Sequence, residues 1–198
     1  MPNHWSEGLV PLEACPGAVA WAQTQPDFRT AWQNCKRGDW MLCLIGKTCS
    51  KDQRPDFVRA VSDCVETSLG SVPEGEERPA QAIAAARTWA DNPTEANRAA
   101  ATRATSNTFG TFAASCVSAA AFDTAQACVS DPDSAAAHGA SAAALAAAAH
   151  GASAALVVYA NPPVVPAIAA AARANGVREG LSQFADIVRG YFPEYEWR

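Results

Sequence analysis

Six apolar residues in a row, Trp40 to Ile45, form the most apolar short stretch of this 198-residue chain. A helix of that composition is apolar on every side, which is typical of a buried helix in the middle of a bundle. Gly38 precedes it, Asp39 is placed to cap its first turn, and Gly46 is placed to end it. The stretch therefore predicts a central helix around which the other elements pack.

Alanine supplies much of the 49% hydrophobic content, and the mean hydropathy is only -0.08. Alanine is the strongest helix former but fills little volume, so alanine-rich helices must approach one another closely. No stretch alternates apolar and polar residues with the period of a strand. The sequence predicts an all-α, single-domain bundle of about eight helices over residues 1–198, with a buried central helix and close-packed alanine-rich helices.

Helix starts and ends are signalled by proline, capping residues and glycine. Residues 1–10 are predicted to be irregular, and residues 192–198 to form an acidic and aromatic tail. The predicted helix starts are Pro16, Pro26-Asp27, Arg78-Pro79, Thr94, Asp131-Pro132 and Val164, and a break is expected over Thr105–Gly110. Helix ends are predicted at Gly70, at Asn92-Pro93 and at Asn175-Gly176.

Charge and cysteine usage narrow the class of protein. The net charge of -5 disfavours nucleic acid as a partner and suits a basic protein partner. No run is long and apolar enough to cross a bilayer, and the N-terminus lacks a basic leader, so we expect a cytoplasmic protein. Seven cysteines without a Cys-x-x-Cys pair are expected to be reduced and mostly buried, and neither a metal site nor a cofactor is predicted.

Two motifs carry a resemblance to a known family. They are Arg37–Leu42 (RGDWML) and Glu77–Trp89 (ERPAQAIAAARTW), followed by an alanine-rich helix with two histidines. Together they resemble a helical family of immunity proteins from bacterial polymorphic toxin systems, which also occurs in actinobacteria and their phages. The resemblance covers roughly residues 15–175 by motif order. It implies a non-enzymatic, all-helical inhibitor that binds a toxin, and its matching positions are Arg37, Asp39, Trp40, Arg78, Pro79, Ile83, Arg87, Trp89 and His138.

Arg37, Asp39, Arg78 and Arg87 form the strongest charged constellation in the sequence. If the central helix packs against the Arg78–Ala90 helix, Asp39 would accept a bidentate bond from Arg87 or Arg78. Ile83, Arg87 and Ala90 share one face of that helix, and Trp89 is predicted to turn away from this face. A structural ion pair between two helices is the favoured interpretation. The alternative is a polar pocket for a ligand or a toxin side chain.

The partner surface is predicted from exposed carboxylates and aromatic side chains, which suit a basic protein. It comprises Glu74, Glu76, Glu77, Glu194, Tyr195, Glu196 and Trp197. The predicted function is an immunity protein that neutralises a toxin. The alternatives are a phage-encoded effector that binds a host or defence protein, and a small-molecule binder or enzyme that uses the charged constellation. No catalytic residue is assigned, because the residues show no local nucleophile or acid–base signature.

Overall fold

The computed structural model describes residues 4–104, 142–143, 145–150 and 166–197. These residues fold as helices joined by short turns, and none of them lies in a strand. The predicted all-α bundle is confirmed. The α-helices whose two ends lie in the described residues are α1 (Pro16–Ala22), α2 (Phe28–Asn34), α3 (Gly38–Thr48), α4 (Arg54–Glu66), α5 (Arg78–Asp91), α6 (Glu95–Arg103) and α7 (Pro166–Tyr191), with 3-10 helices at Trp5–Leu9 and Leu69–Ser71.

Helices α3, α4, α5 and α7 enclose the core. Helix α4 packs against both α5 and α7, and α3 packs mainly against α7. The largest side chains that are fully buried come from all four helices: Phe57, Phe184, Leu42, Ile45 and Ile83. Burying such side chains stabilises the fold by about 1.5–3 kcal/mol each before the entropy cost. Helix α6 is attached to this core through α5.

Four predicted helix starts in the described part of the chain are confirmed by a first-turn proline or a capping bond. Pro16 opens α1, and Pro79 lies in the first turn of α5. The Asp27 carboxylate accepts from the Thr30 amide at 2.7 Å and caps α2. Thr94 caps α6 by accepting from the Asn97 amide at 3.2 Å. Each of these helix starts depends on residues of its own first turn, which is why the sequence alone predicts it.

Three boundary predictions for α3 and the N-terminus are wrong. Arg37 occupies the N-cap of α3, and Asp39 lies within its first turn and makes no cap bond. The helix continues past Gly46 to Thr48, whose hydroxyl donates to the Leu44 carbonyl at 2.6 Å. Residues 1–10 are not wholly irregular, because Trp5–Leu9 forms a 3-10 helix.

The prediction that Asn175-Gly176 ends a helix is also wrong, because α7 runs unbroken through both residues. Beyond them, Leu181, Phe184 and Val188 are buried against the core. Packing of that face offsets the roughly 1 kcal/mol that a helical glycine costs. The predicted break over 105–110, the helix start at 131, and His138 lie outside the described residues.

Candidate functional site

The charged constellation predicted from the sequence is not assembled. Asp39 accepts from Nε and Nη2 of Arg37 at 2.8 and 2.6 Å, rather than from Arg78 or Arg87. Arg78 pairs with Glu76 in the loop before α5. Helix α4 packs against both α3 and α5, so Arg87 meets carboxylates of α4 before it could reach Asp39. The prediction of a single cluster is therefore wrong, and its members form three separate ion pairs.

Arg87 belongs to a network that joins three helices. Its Nη2 donates to Asp63 and to Glu66 on α4, each at 2.6 Å. The Tyr191 hydroxyl of α7 donates to the second oxygen of Asp63 at 2.6 Å. Hydrogen bonds from Arg87 lower the pKa of Glu66, and desolvation with the bond to Asp63 raises the pKa of Tyr191 to about 12. This geometry suits a structural tie between helices, which was the favoured interpretation of the arginines.

Trp89 and the residues around Arg78 also differ from expectation. Trp89, which was predicted to turn away from the face that Ile83 and Ala90 share, is buried in the core as they are. Hydrogen bonds from Arg78 lower the pKa of Glu76 to about 2. Glu74 and Glu77 are exposed on the same loop. Of the three carboxylates, Glu74 and Glu77 thus present the more accessible negative charge.

The C-terminal tail does not present its aromatic side chains to solvent. Tyr195 is buried and stacks on Trp32 with ring centroids 5.1 Å apart, while Trp197 is half-buried against Phe28 at 5.7 Å. Its carboxylates Glu194 and Glu196 are exposed. The tail packs against α2, where Trp32 Nε1 donates a hydrogen bond to the Phe192 carbonyl at 2.9 Å. The expected exposure of Tyr195 and Trp197 is wrong.

The Arg37–Asp39 pair instead lies in the wall of a pocket of about 370 Å3 between α3 and the N-terminal residues. We call this cavity the tryptophan pocket. Four tryptophans and one phenylalanine line it, and most of its remaining lining is aliphatic. Its aromatic lining residues are Trp5, Trp21, Phe28, Trp32 and Trp40. Pockets of this size and polarity are typical of small-molecule sites.

One wall of the tryptophan pocket is a single face of α3. Trp40, Cys43, Leu44 and Lys47 all line it, and all are half-buried. Their spacing of three, one and three residues places them on one side of a helix. The Arg37 guanidinium lies 4.3 Å from the centroid of the Trp40 ring, which orders one end of this face. The expectation that α3 is buried on every side is therefore wrong for this face.

The opposite wall comes from the N-terminal 3-10 helix, α1 and α2. The Trp5 indole donates to the Gln25 carbonyl at 3.1 Å, which fastens the N-terminal residues over the end of α1. The ring centroids of Trp21 on α1 and Trp40 on α3 are 6.1 Å apart, so the two walls are in contact through these rings. Arg189 of α7 donates to the carbonyls of Trp32 and Cys35 at 3.1 and 2.9 Å, and so fixes the end of α2. Both walls are therefore anchored to the bundle.

The five cysteines in the described residues are free, as expected, but only Cys35 and Cys64 are buried. Burial raises the pKa of the Cys35 and Cys43 thiols, which both line the tryptophan pocket. Cys15, also in the lining, is exposed. Over 4–104, 142–143, 145–150 and 166–197, no group of three or more His, Cys, Asp or Glu side chains is placed to hold a metal ion.

His138 and His150 are the two histidines of the alanine-rich stretch, and the structure describes only His150. Its Nε2 lies 2.9 Å from the Thr67 hydroxyl, and its ring packs near Phe184 at 6.0 Å. Burial lowers its pKa. This is the environment of a packed, hydrogen-bonded core histidine rather than of a reacting group.

In comparisons with known proteins, no family model, curated protein or solved structure matches the chain. The resemblance to immunity proteins therefore remains a prediction from the two motifs. Within the described part of the chain, no helix has both the length and the apolar character that crossing a bilayer requires. The cytoplasmic location likewise stays a prediction.

Only the residues at one end of the tryptophan pocket were predicted from the sequence. Arg37, Asp39 and Trp40 were singled out, whereas Trp5 and Trp21 were not. A usable signal was present in α3, because Lys47 ends an otherwise apolar stripe at helical spacing. The N-terminal tryptophans offered no such signal, since their meeting with α3 is a tertiary contact.

Proposed function

We propose that this chain is a non-enzymatic binding protein whose ligand occupies the tryptophan pocket. The single observation that carries the proposal is the pocket itself: about 370 Å3 of space lined by four half-buried or buried tryptophans. A ligand there would remove apolar surface from water, which is favourable by about 25 cal/mol per Å2 of that surface. Tryptophan is also well suited to contact ligands, because its large ring is rigid.

The charges at the pocket support binding rather than chemistry. Arg37 and Asp39 satisfy each other through two hydrogen bonds. A general acid or base must be free to exchange a proton with its substrate, and a carboxylate held by a bidentate arginine is poorly suited to that task. The pair instead gives one end of the pocket a fixed polar edge. Such edges orient ligands in apolar sites.

A neutral fluorescent probe tests the proposal directly. N-phenyl-1-naphthylamine is uncharged and becomes bright in apolar surroundings, so its titration into the protein should show saturable binding. Ala18 lines the pocket from α1, whereas Ala20 on the same helix is exposed. Ala18→Phe should fill the space and weaken probe binding at least about tenfold, by steric exclusion of the probe.

Ala20→Phe is the matched control and should bind the probe like the unmodified chain. The circular dichroism spectra and urea midpoints of both variants are compared with those of the unmodified chain to check that the fold is intact. Absence of saturable binding by the unmodified chain would overturn the proposal. So would equal binding by a folded Ala18→Phe variant, because the probe would then lie elsewhere.

A second candidate is the protein-binding inhibitor that the resemblance implies: an immunity protein or a phage-encoded effector with a basic target. The specific observation in its favour is the pair of exposed carboxylates Glu74 and Glu77, beside an overall charge of -5. Opposite charge on a partner would speed association. Glu194 and Glu196 supply further exposed negative charge, but the buried tail aromatics do not contribute an anchor.

Co-purification at low salt with the products of neighbouring genes tests this candidate. A bound basic toxin, lost on combining Glu74→Lys with Glu77→Lys, would support it. Failure to retain any neighbouring product, or retention by the double variant, would count against it. The pocket proposal is independent of this result, because neither glutamate lines the pocket.

A further inference from the structure

We infer that the ligand of the tryptophan pocket is a small amphipathic anion, an apolar body with one carboxylate that pairs with Lys47. This inference rests on the proposed function and adds the chemical class of the ligand. The lining contains three charged side chains: Arg37, Asp39 and Lys47. Their distribution points to an anion.

Lys47 is the charge in this lining that forms no ion pair with a carboxylate of the described residues. Arg37 is occupied by Asp39 at 2.8 and 2.6 Å. No hydrogen bond or ion pair joins Lys47 to any of the residues that the structure describes, although the side chain is half-buried. A partly desolvated ammonium beside apolar walls gains most from an anionic partner, because a charge-assisted hydrogen bond is about twice as strong as a neutral one.

The position of Lys47 suits an elongated ligand with its charge at one end. Lys47 is three residues beyond Leu44 on the face of α3 that also carries Trp40. An apolar body can therefore lie along Trp40 and Leu44 while its carboxylate reaches Lys47. Asp39 lies eight residues earlier on the same helix, about 12 Å along the axis. Arg37 also offsets the charge of Asp39 through two hydrogen bonds, so repulsion of the ligand carboxylate by Asp39 is weak.

Lys47 also has a simpler explanation, which the test must separate. It lies in the last turn of α3, where a cation interacts favourably with the helix dipole. A lysine that serves only the dipole would influence stability without discriminating between ligands. A lysine that binds the ligand would discriminate between an anion and a neutral molecule of the same length.

Displacement of bound N-phenyl-1-naphthylamine by octanoate, 1-octanol and octylammonium provides that readout. The three competitors share one chain and differ in head-group charge. Lys47→Met keeps an apolar side chain of similar length, and Lys47→Arg keeps the charge. Lys51→Met removes an exposed lysine in the turn that follows α3, and Lys51 does not line the pocket.

In Lys47→Met, we expect the octanoate inhibition constant to rise about tenfold relative to that of 1-octanol, which should change little. Lys47→Arg and Lys51→Met should keep the ratio of the unmodified chain. Octylammonium should compete worst with the unmodified chain. An unchanged ratio in Lys47→Met, or an equal change in Lys51→Met, overturns the inference. Either result leaves the proposed function standing, whereas failure of the probe itself to bind defeats the proposed function.

Discussion

Gly38 is the position where a single added methyl group should damage the fold most clearly. It is the first residue of α3, and it lies against α7 at the place where the two helices meet. A Cβ at this position would lie 2.4 Å from Phe184 Cβ and 2.8 Å from the Ala185 backbone nitrogen. Neither neighbour can rotate away, because one is a Cβ atom and the other is backbone.

The size of the effect follows from two opposing contributions. Alanine is favoured over glycine inside helices by about 0.5–1 kcal/mol, and by less at a first helical position. Carbon atoms need about 3.5 Å, so α3 would have to move away from α7 by roughly 1 Å. Overpacking of this kind costs about 1–3 kcal/mol. The clash therefore exceeds the helix gain, and Gly38→Ala should destabilise the protein by about 2 kcal/mol.

Urea denaturation followed by circular dichroism measures this difference, provided that the transition is two-state. Gly190→Ala is the matched control on α7, because its added Cβ would meet no atom within 4 Å. It should stabilise the protein by up to about 1 kcal/mol. A Gly38→Ala variant as stable as Gly190→Ala would refute the close approach of α3 and α7.

Two further predictions concern titrating groups. Tyr191→Phe should cost about 1 kcal/mol at pH 7 through loss of the bond to Asp63. Because the folded-state pKa of Tyr191 is raised from 10 to about 12, its contribution is present below pH 10 and is lost as the pH rises to 12. In urea denaturation, the difference in free energy of unfolding between the unmodified chain and Tyr191→Phe should be smaller at pH 11 than at pH 8. An equal difference at both pH values would contradict the assigned bond. His150 has a lowered pKa, so its neutral form beside Thr67 stabilises the fold above about pH 6.5. The stability difference between the unmodified chain and His150→Gln should shrink from pH 7.5 to pH 5, and a constant difference would contradict its burial.

Helix identity and most helix starts could be predicted because they depend on neighbours in sequence. Asp27 and Thr94 accept from amides three residues later, and Pro16 meets only its own first turn. Helix ends were predicted less well. Gly46 and Gly176 carry an end signal, yet both lie inside helices. Beyond Gly46 the Thr48 hydroxyl hydrogen-bonds to the buried Tyr195, and beyond Gly176 the later residues of α7 pack on the core. Tertiary packing overrides a glycine signal that is worth only about 1 kcal/mol.

The charged site was not predicted because two of its arginines pair with carboxylates two residues away, and the partners of the third depend on which helix packs against α5. Asp39 had two predicted partners, Arg78 and Arg87, but it pairs with Arg37, only two residues away. Arg87 meets Asp63 and Glu66 because α4, rather than α3, packs against α5. In place of one cluster, Arg87 therefore belongs to a network that joins α4, α5 and α7, and Arg37 and Asp39 form a separate pair at the pocket.

The tryptophan pocket follows from the composition of α3 together with the close contact at Gly38. A helix that is apolar all round has no intrinsic preference for which face meets the core. Contact with α7 through Gly38 buries Leu42 and Ile45, and this leaves the Trp40 face for the N-terminal residues to cover. The alanines of α1 and α2 in that wall are too small to fill the space between the aromatic rings. Enlarging one of them, as in Ala18→Phe, should therefore close the site while the core on the other side of α3 stays intact.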